Sequence, residues 1–488
     1  MRILYIDIDS LRTDHLSCYG YHRKTSPNID SIAAKGVRFT NYYASDTPCL
    51  PSRTALFGGR LGINSGVVNH GGTNADVRPE GPKRSFRSYT TNDSLAEQLR
   101  RAGVYTASIT PFPHRHSAYQ IWEGFREMFD TGGDGLEPAH VVYPYVERWL
   151  RANGSRENWF LHLNMWDPHT PYQVPLELGN PFQEDPPPAW LTQKIIDQHR
   201  ASYGPHDAMT PHAGSYGKPF KWPRGTDTIR NTADWKKWID GYDTGIWYAD
   251  QHVGKILGVL KELGIADSTA ILVSADHGEN QGELNVYGDH QTADEITNNV
   301  PLVVDWPGVT DQFAGRSLDG LHYNVDLAFT LVELSGGKQP SSWDGESFAA
   351  ALKTGADPGR EYLVLSQGAW SCQRSVRWGN YLLIRTYDTG VKNFPALMLF
   401  DLKKDPHETN NLAKELPQVV NEGLRIMDAF VGEQLAKSGH PDPLFEVIAE
   451  GAPLHGRESL QMVIEWCRAT GREAHAEWLE KNGSRPRE

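Results

Sequence analysis

Cys49 is the residue whose surroundings most favour chemistry. It stands in the stretch 46–59, DTPCLPSRTALFGG, after Thr47 and Pro48 and ahead of Leu50, Pro51, Ser52 and Arg53. The run 53–57 is compatible with a helix and ends at Gly58 and Gly59. Proline suits the first turn of a helix and glycine its end, so Cys49 is expected at or just before a short helix's N-terminus. Free backbone N–H groups and the positive end of the helix dipole favour bound anions there. A cysteine so placed is expected to have a lowered pKa and raised reactivity. The plain alternative is a small thiol buried in a turn. Further candidates sit where strand-like runs end. Residues 269–275, TAILVSA, lead into Asp276, His277, Gly278 and Glu279, and the opening run ends at Asp9. A carboxylate and an imidazole at one strand end, with a glycine for the close turn, form a metal-site pattern. An acid ending the first strand fits the ligand position of open α/β sheets, and fits a helix N-cap equally well.

The elements that must hold these residues follow from periodicity. Residues 61–72 are a Gly- and Asn-rich loop expected to line the site, 94–101 an amphipathic helix, and 104–109 a strand leading into His114, Arg115 and His116. Residues 158–165 read as a buried strand that runs into Trp166, Asp167, Pro168 and His169. The stretch 173–235 is polar and broken by prolines, as lids and binding loops are, with Trp190, Lys221, Trp222 and Arg224 as candidate substrate contacts. Apolar residues at helical spacing over 242–263 predict a core-facing helix, and 300–306 a strand preceded by His290. From about 345 the texture changes to short strands at 362–365, 375–378, 381–385 and 397–402, then helices from 417–437 onward. The expected fold is α/β: a large mixed, mostly parallel sheet flanked by helices, with a smaller antiparallel-sheet subdomain. The expected divisions are 1–345, 346–440 and a helical extension, 441–488, that packs on its own chain or on a second copy in a homo-oligomer.

Composition excludes several classes. At 488 residues the chain can bury a large core. A net charge of −13 argues against nucleic-acid partners and acidic surfaces, and no apolar run is long enough to predict a membrane span. Without a visible signal peptide, a cytoplasmic location is the expectation. Cys18, Cys49, Cys372 and Cys467 are too scattered for a disulfide framework or a thiolate zinc site. Fifteen Trp and twenty Tyr could stack on sugars, though ordinary core packing explains most of them.

The string Cys49-x-Pro51-Ser52-Arg53 before a short helix resembles the signature of the type I sulfatases, in the alkaline phosphatase superfamily. The opening through residue 44, the strand followed by Asp167-Pro168-His169-x-Pro171-Tyr172, the Asp276-His277-Gly278 turn and the run 399–412 resemble that family too, so the likeness covers residues 1 to about 415. It implies conversion of Cys49 to formylglycine by a maturation enzyme, with Pro51 and Arg53 in its signal, and a hydrated aldehyde as nucleophile. It implies a divalent cation on Asp9, Asp276, His277 and the modified Cys49. Calcium is the first expectation. Ser10, where many members carry a second Asp, and the nitrogen of His277 leave manganese open. His169 and His290 inherit contact with the sulfate and the leaving oxygen, His114, Arg115 and His116 stand where a Lys and a His are usual, and Trp166 is a further expected substrate contact. The implied substrate is a small sulfated sugar. Phosphonate monoester or phosphodiester hydrolysis at the same site is the near alternative, and a non-catalytic binding protein on the same fold the distant one.

Overall fold

The strand Arg2–Ile8 is mostly apolar on both faces because sheet neighbours and helices bury all of it past Arg2. It pairs in parallel with Trp159–Met165 on one side and Thr269–Ser274 on the other. The computed structural model describes residues 1–80, 88–212 and 222–487. In it these three strands centre an eight-stranded sheet. Tyr105–Ile109 and Glu127–Phe129 extend one side in parallel, and Leu302–Asp305 adds antiparallel on the other, followed by Val37–Phe39 and Ser317–Leu318. The sheet is thus mixed and mostly parallel, as expected. Pro27–Lys35, Ala139–Asn153 and Thr232–Glu262 pack together as one helical layer, and Cys49–Gly58, Leu95–Arg101 and Val325–Leu334 as another.

The C-terminal sheet runs Leu397–Asp401, Tyr381–Asp388, Cys372–Trp378 and Tyr362–Gln367 in antiparallel order. Its fifth strand, Asp46–Thr47, comes from far upstream and pairs in parallel with Ser366 and Gln367. The residues just ahead of Cys49 are therefore clamped into the second sheet while the helix they start packs on the first. Two expectations need correction. The helix expected over 242–263 is Thr232–Glu262, because Asn231 caps it by accepting from the N–H groups of Ala233 and Asp234, both at 2.9 Å. The stretch 173–235 contains a regular helix, Gln193–Ala201, capped by Thr192. The four cysteines are free thiols, and no helix among the described residues is long and apolar enough to cross a membrane.

Candidate active site

Parallel register sets the site. Arg2 faces both Trp159 and Thr269, so the three central strands end level, and Asp9, Trp166 and Asp276 all follow at the same edge. Cys49 is the first residue of the Cys49–Gly58 helix, which stops at Gly59 in the left-handed conformation. Ligand atoms of Asp9, Cys49, Asp276 and His277 all lie within 4.8 Å of one another, in full burial. The spatial convergence that the motifs imply is present.

Arg53, one helical turn after Cys49, holds the acids. Its Nε donates to Asp7 Oδ2 at 2.8 Å and its two terminal nitrogens to Asp276 Oδ2 at 2.6 Å and Asp9 Oδ2 at 3.0 Å. One guanidinium serves three buried carboxylates, so charge is still unbalanced. Burial pushes Asp9 up to about 6 against the pull of Arg53, and raises Asp276 well above the usual carboxylate range. Ser10, at φ 58, donates its backbone N–H to Asp276 Oδ1 at 3.2 Å and its hydroxyl to Asp9 Oδ1 at 3.4 Å. The Nδ1 of His277 faces the Gly278 carbonyl at 2.8 Å, which leaves Nε2 free toward the cluster, 3.0 Å from Cys49 Sγ and 3.2 Å from Asp276 Oδ2. Two buried carboxylates in need of counter-charge and an oriented imidazole fit a divalent cation. The expected lowering of the Cys49 pKa is not found. Burial, and then the charges of Asp9 and Asp276, push the thiol well above its ordinary value, overriding the helix terminus.

Imidazoles close the rest of the site. The ring centroids of His277 and His290 are 4.0 Å apart, and His169 lies 5.2 Å from His290 and 6.1 Å from His277. His169 stacks on Trp166 at 4.1 Å and pairs its Nδ1 with the Thr170 carbonyl at 2.8 Å, so Nε2 is free. Burial lowers His290 to about 3, although Asp289 pulls upward, and it lowers His169 well below an ordinary histidine. Ligand atoms of His70 and His116 also lie within 4.8 Å of Cys49 Sγ and of each other. Burial, and then the Arg115 charge, lower His116 to about 3.

The expected residues do not all converge. His114 is 56 % exposed and faces Asp130 at 3.5 Å, because the helical turn that brings His116 inward points a residue two positions earlier outward. Arg115 stands at the rim with its guanidinium 4.7 Å from the Trp166 ring centroid. Arg53 spends its donors on the carboxylates of Asp7, Asp9 and Asp276, so it holds those acids in place. Among the lid candidates, Arg224 is tied to the carbonyls of Val174 and Gly179, both at 2.7 Å, Trp190 stacks on His407, and Trp222 packs on Tyr172 and Trp238. Lys221 lies outside the described residues. Sequence reading missed Asp7, an acid inside an otherwise apolar strand and on the same face as Asp9, and this was its available signal. It also missed Asp289, whose carboxylate meets His206 at 2.8 Å and lies 3.5 Å from His290.

The sulfatase family matches residues 2–337, and the C-terminal region of N-sulphoglucosamine sulphohydrolase matches residues 282–425. The chain is 26% identical over 460 residues to an ulvan-active sulfatase of Formosa agariphila, covering 90% of this chain and 81% of that protein. It is 23% identical over 499 residues to an N-acetylglucosamine-6-O-sulfatase of Bacteroides thetaiotaomicron, covering 86% and 85%. A protein solved in complex with its substrate D-glucosamine-2-N,6-O-disulfate shares the fold at a TM-score of 0.69 and 18% identity, over 91% of this chain and 99% of that one. So does a phosphonate monoester hydrolase from Silicibacter pomeroyi, at 0.66 and 20%, over 91% and 97%. Asp9, Cys49, His169 and Asp276 all fall inside the matched span 2–337, and on that match the chain belongs to the type I sulfatase family.

Proposed function

We propose that this sulfatase hydrolyses sulfate esters of carbohydrates with a formylglycine made from Cys49 and a divalent cation held by Asp9, Asp276 and His277. The observation that carries the reading is the position of Cys49, first in its helix and 3.0 Å from His277 Nε2, among acids that lack counter-charge. The sulfated sugars named for similar proteins support the substrate class. Formylglycine, installed by a maturation enzyme, supplies a hydrated aldehyde as the nucleophile, a group whose second hydroxyl allows the sulfate to be expelled. The cation, bound to two carboxylates and an imidazole, supplies positive charge for the sulfate oxygens, and this mixed donor set suits manganese as well as calcium.

The chain's own residues do the rest. Arg53 orients Asp9 and Asp276, so their outer oxygens are aimed before substrate arrives. Asp276 stands beside Cys49 as the proton acceptor for the nucleophile. The free Nε2 of His169 and the ring of His290 face the leaving side. Burial keeps both rings neutral, and an anionic sulfate among them is the counter-charge that allows one to take a second proton and deliver it to the leaving oxygen. His116, neutral and close to Cys49, is placed to receive a proton when sulfate departs. Peptide mass spectrometry across Cys49 tests the modification, and metal analysis tests the cation. Turnover of aryl sulfate against aryl phosphonate esters tests the reaction class. Predominant phosphonate hydrolysis would overturn the sulfatase reading in favour of its neighbour on the same fold.

A further inference from the structure

The chain beyond residue 440 lies past both family matches, which end at 337 and 425. It does not stand apart from the site. A buried ion pair, Arg374 with Asp442 at 2.7 and 3.0 Å, fixes its start, and Asp442 also caps the Pro443–Ala449 helix. Asn74, in the loop that carries His70, donates to Glu446 at 3.0 Å. Two glycines mark how closely the surfaces meet. A Cβ at Gly71 would come within 2.7 Å of Leu454, and one at Gly456 within 2.7 Å of Gly390 Cα and 2.9 Å of the Trp370 carbonyl oxygen. This docking sets His455 between an indole and an imidazole. Its ring lies 4.7 Å from the Trp370 ring centroid at 33°, and its Nε2 lies 3.1 Å from His70 Nδ1. His70 in turn adjoins Cys49 and His116, and the Nε2 atoms of His70 and His116 are buried with no hydrogen-bond partner among the described residues.

We propose that the C-terminal extension builds the leaving-group side of the active site, where His455, with His70, His116 and Trp370, binds the sugar released from the sulfate ester. This rests on the carbohydrate-sulfate reading above and adds the subsite and the residue that decides it. All four residues are half-buried, between core and surface. None of the four is a carboxylate, so the wall presents no negative charge of its own to a sulfated sugar. A neutral imidazole both donates and accepts, which suits hydroxyls around a sugar ring, and an indole suits its C–H face. A simple aryl leaving group offers no hydroxyls to pair.

The test compares full-length wild type with His455→Ala and His455→Gln on a panel of N- and O-sulfated monosaccharides and on 4-nitrophenyl sulfate, with thermal melts of each. For the best-used sugar sulfate, His455→Ala should lower kcat/KM on the order of tenfold, mostly through KM, while 4-nitrophenyl sulfate falls by less than about threefold. His455→Gln, which keeps a hydrogen-bonding side chain, should recover part of the loss, and it is the variant scored if the alanine form does not fold. An equal fall on both substrates, or no fall on either, overturns the proposal. Failure of the sulfatase reading would look different: wild type would turn over neither sulfate ester, and the proposal would go with it.

Discussion

Arg53 is the residue on which the charge balance of the site turns. Three buried carboxylates, those of Asp7, Asp9 and Asp276, share its guanidinium. Arg53→Met should therefore destabilise the protein by about 3–5 kcal/mol in urea unfolding, since removing one partner of a buried ion pair strands the other. A change below about 1 kcal/mol would mean the acids are neutral without it. The same imbalance makes cation binding visible without turnover. Calcium or manganese at about a hundred times its dissociation constant should stabilise wild type by about 2.7 kcal/mol, read as a rise in melting temperature. Asp276→Asn should abolish that rise; an unchanged rise would remove Asp276 from the cation site. Legibility at this scale followed motif length. Cys49, Asp9, Asp276 and His277 sit in strings that carry their own context. Asp7 and His455 are single residues whose meaning comes only from neighbours distant in the chain, whereas His70 lies in the 61–72 loop expected at the site.

The element that aims Cys49 is the Cys49–Gly58 helix, held at its start by the strand Asp46–Thr47 and at its end by Gly59. Gly59 has φ +69, and a Cβ there would press into the Trp343 ring. Gly59→Ala should cost about 2–4 kcal/mol, part from the left-handed backbone and part from overpacking. Trp343→Leu in the same chain should recover the packing part alone, a coupling that a double-mutant cycle measures. Additive effects would show that the indole does not police this turn. Most elements were readable from period and punctuation, this helix among them, because Pro51 and the Gly58–Gly59 pair bracket it. The Gln193–Ala201 helix was not, since it lies in polar, proline-broken sequence with little hydrophobic signal; the first turns of Thr232–Glu262 do carry helical spacing, in Trp235, Trp238, Ile239 and Tyr242, but their start is set by the Asn231 cap in a polar stretch. The pairing of Asp46–Thr47 with the C-terminal sheet was invisible for another reason: two polar residues give a strand no pattern.

Across the whole molecule, the segment after the first strand is tied to the C-terminal subdomain beside the site. Arg12, just past the first strand, donates to Glu283 Oε1 at 2.8 Å and Oε2 at 3.2 Å and to Asp14 at 2.8 Å, while His407, from the C-terminal signature, meets Glu283 at 3.0 Å. That signature was legible as a family mark but not as a tie, because long-range pairing leaves no trace in local sequence. Its stability contribution has a definite pH window. Burial alone would raise Glu283, but the Arg12 charge and the His407 contact outweigh it and hold the carboxyl at about 2, against 4.5 for the free side chain. A depressed folded pKa stabilises above the unfolded value and is lost as pH falls through the folded one. Glu283→Gln should thus cost about 3 kcal/mol near neutral pH, and its gap from wild type should close as pH falls from about 4.5 toward about 2. Urea unfolding at stepped pH measures the gap. If it stays constant down to the lowest pH at which both proteins fold, the glutamate acts by shape and not by charge. If it closes on schedule, acid loosens the link between the N-terminal strand and the C-terminal subdomain.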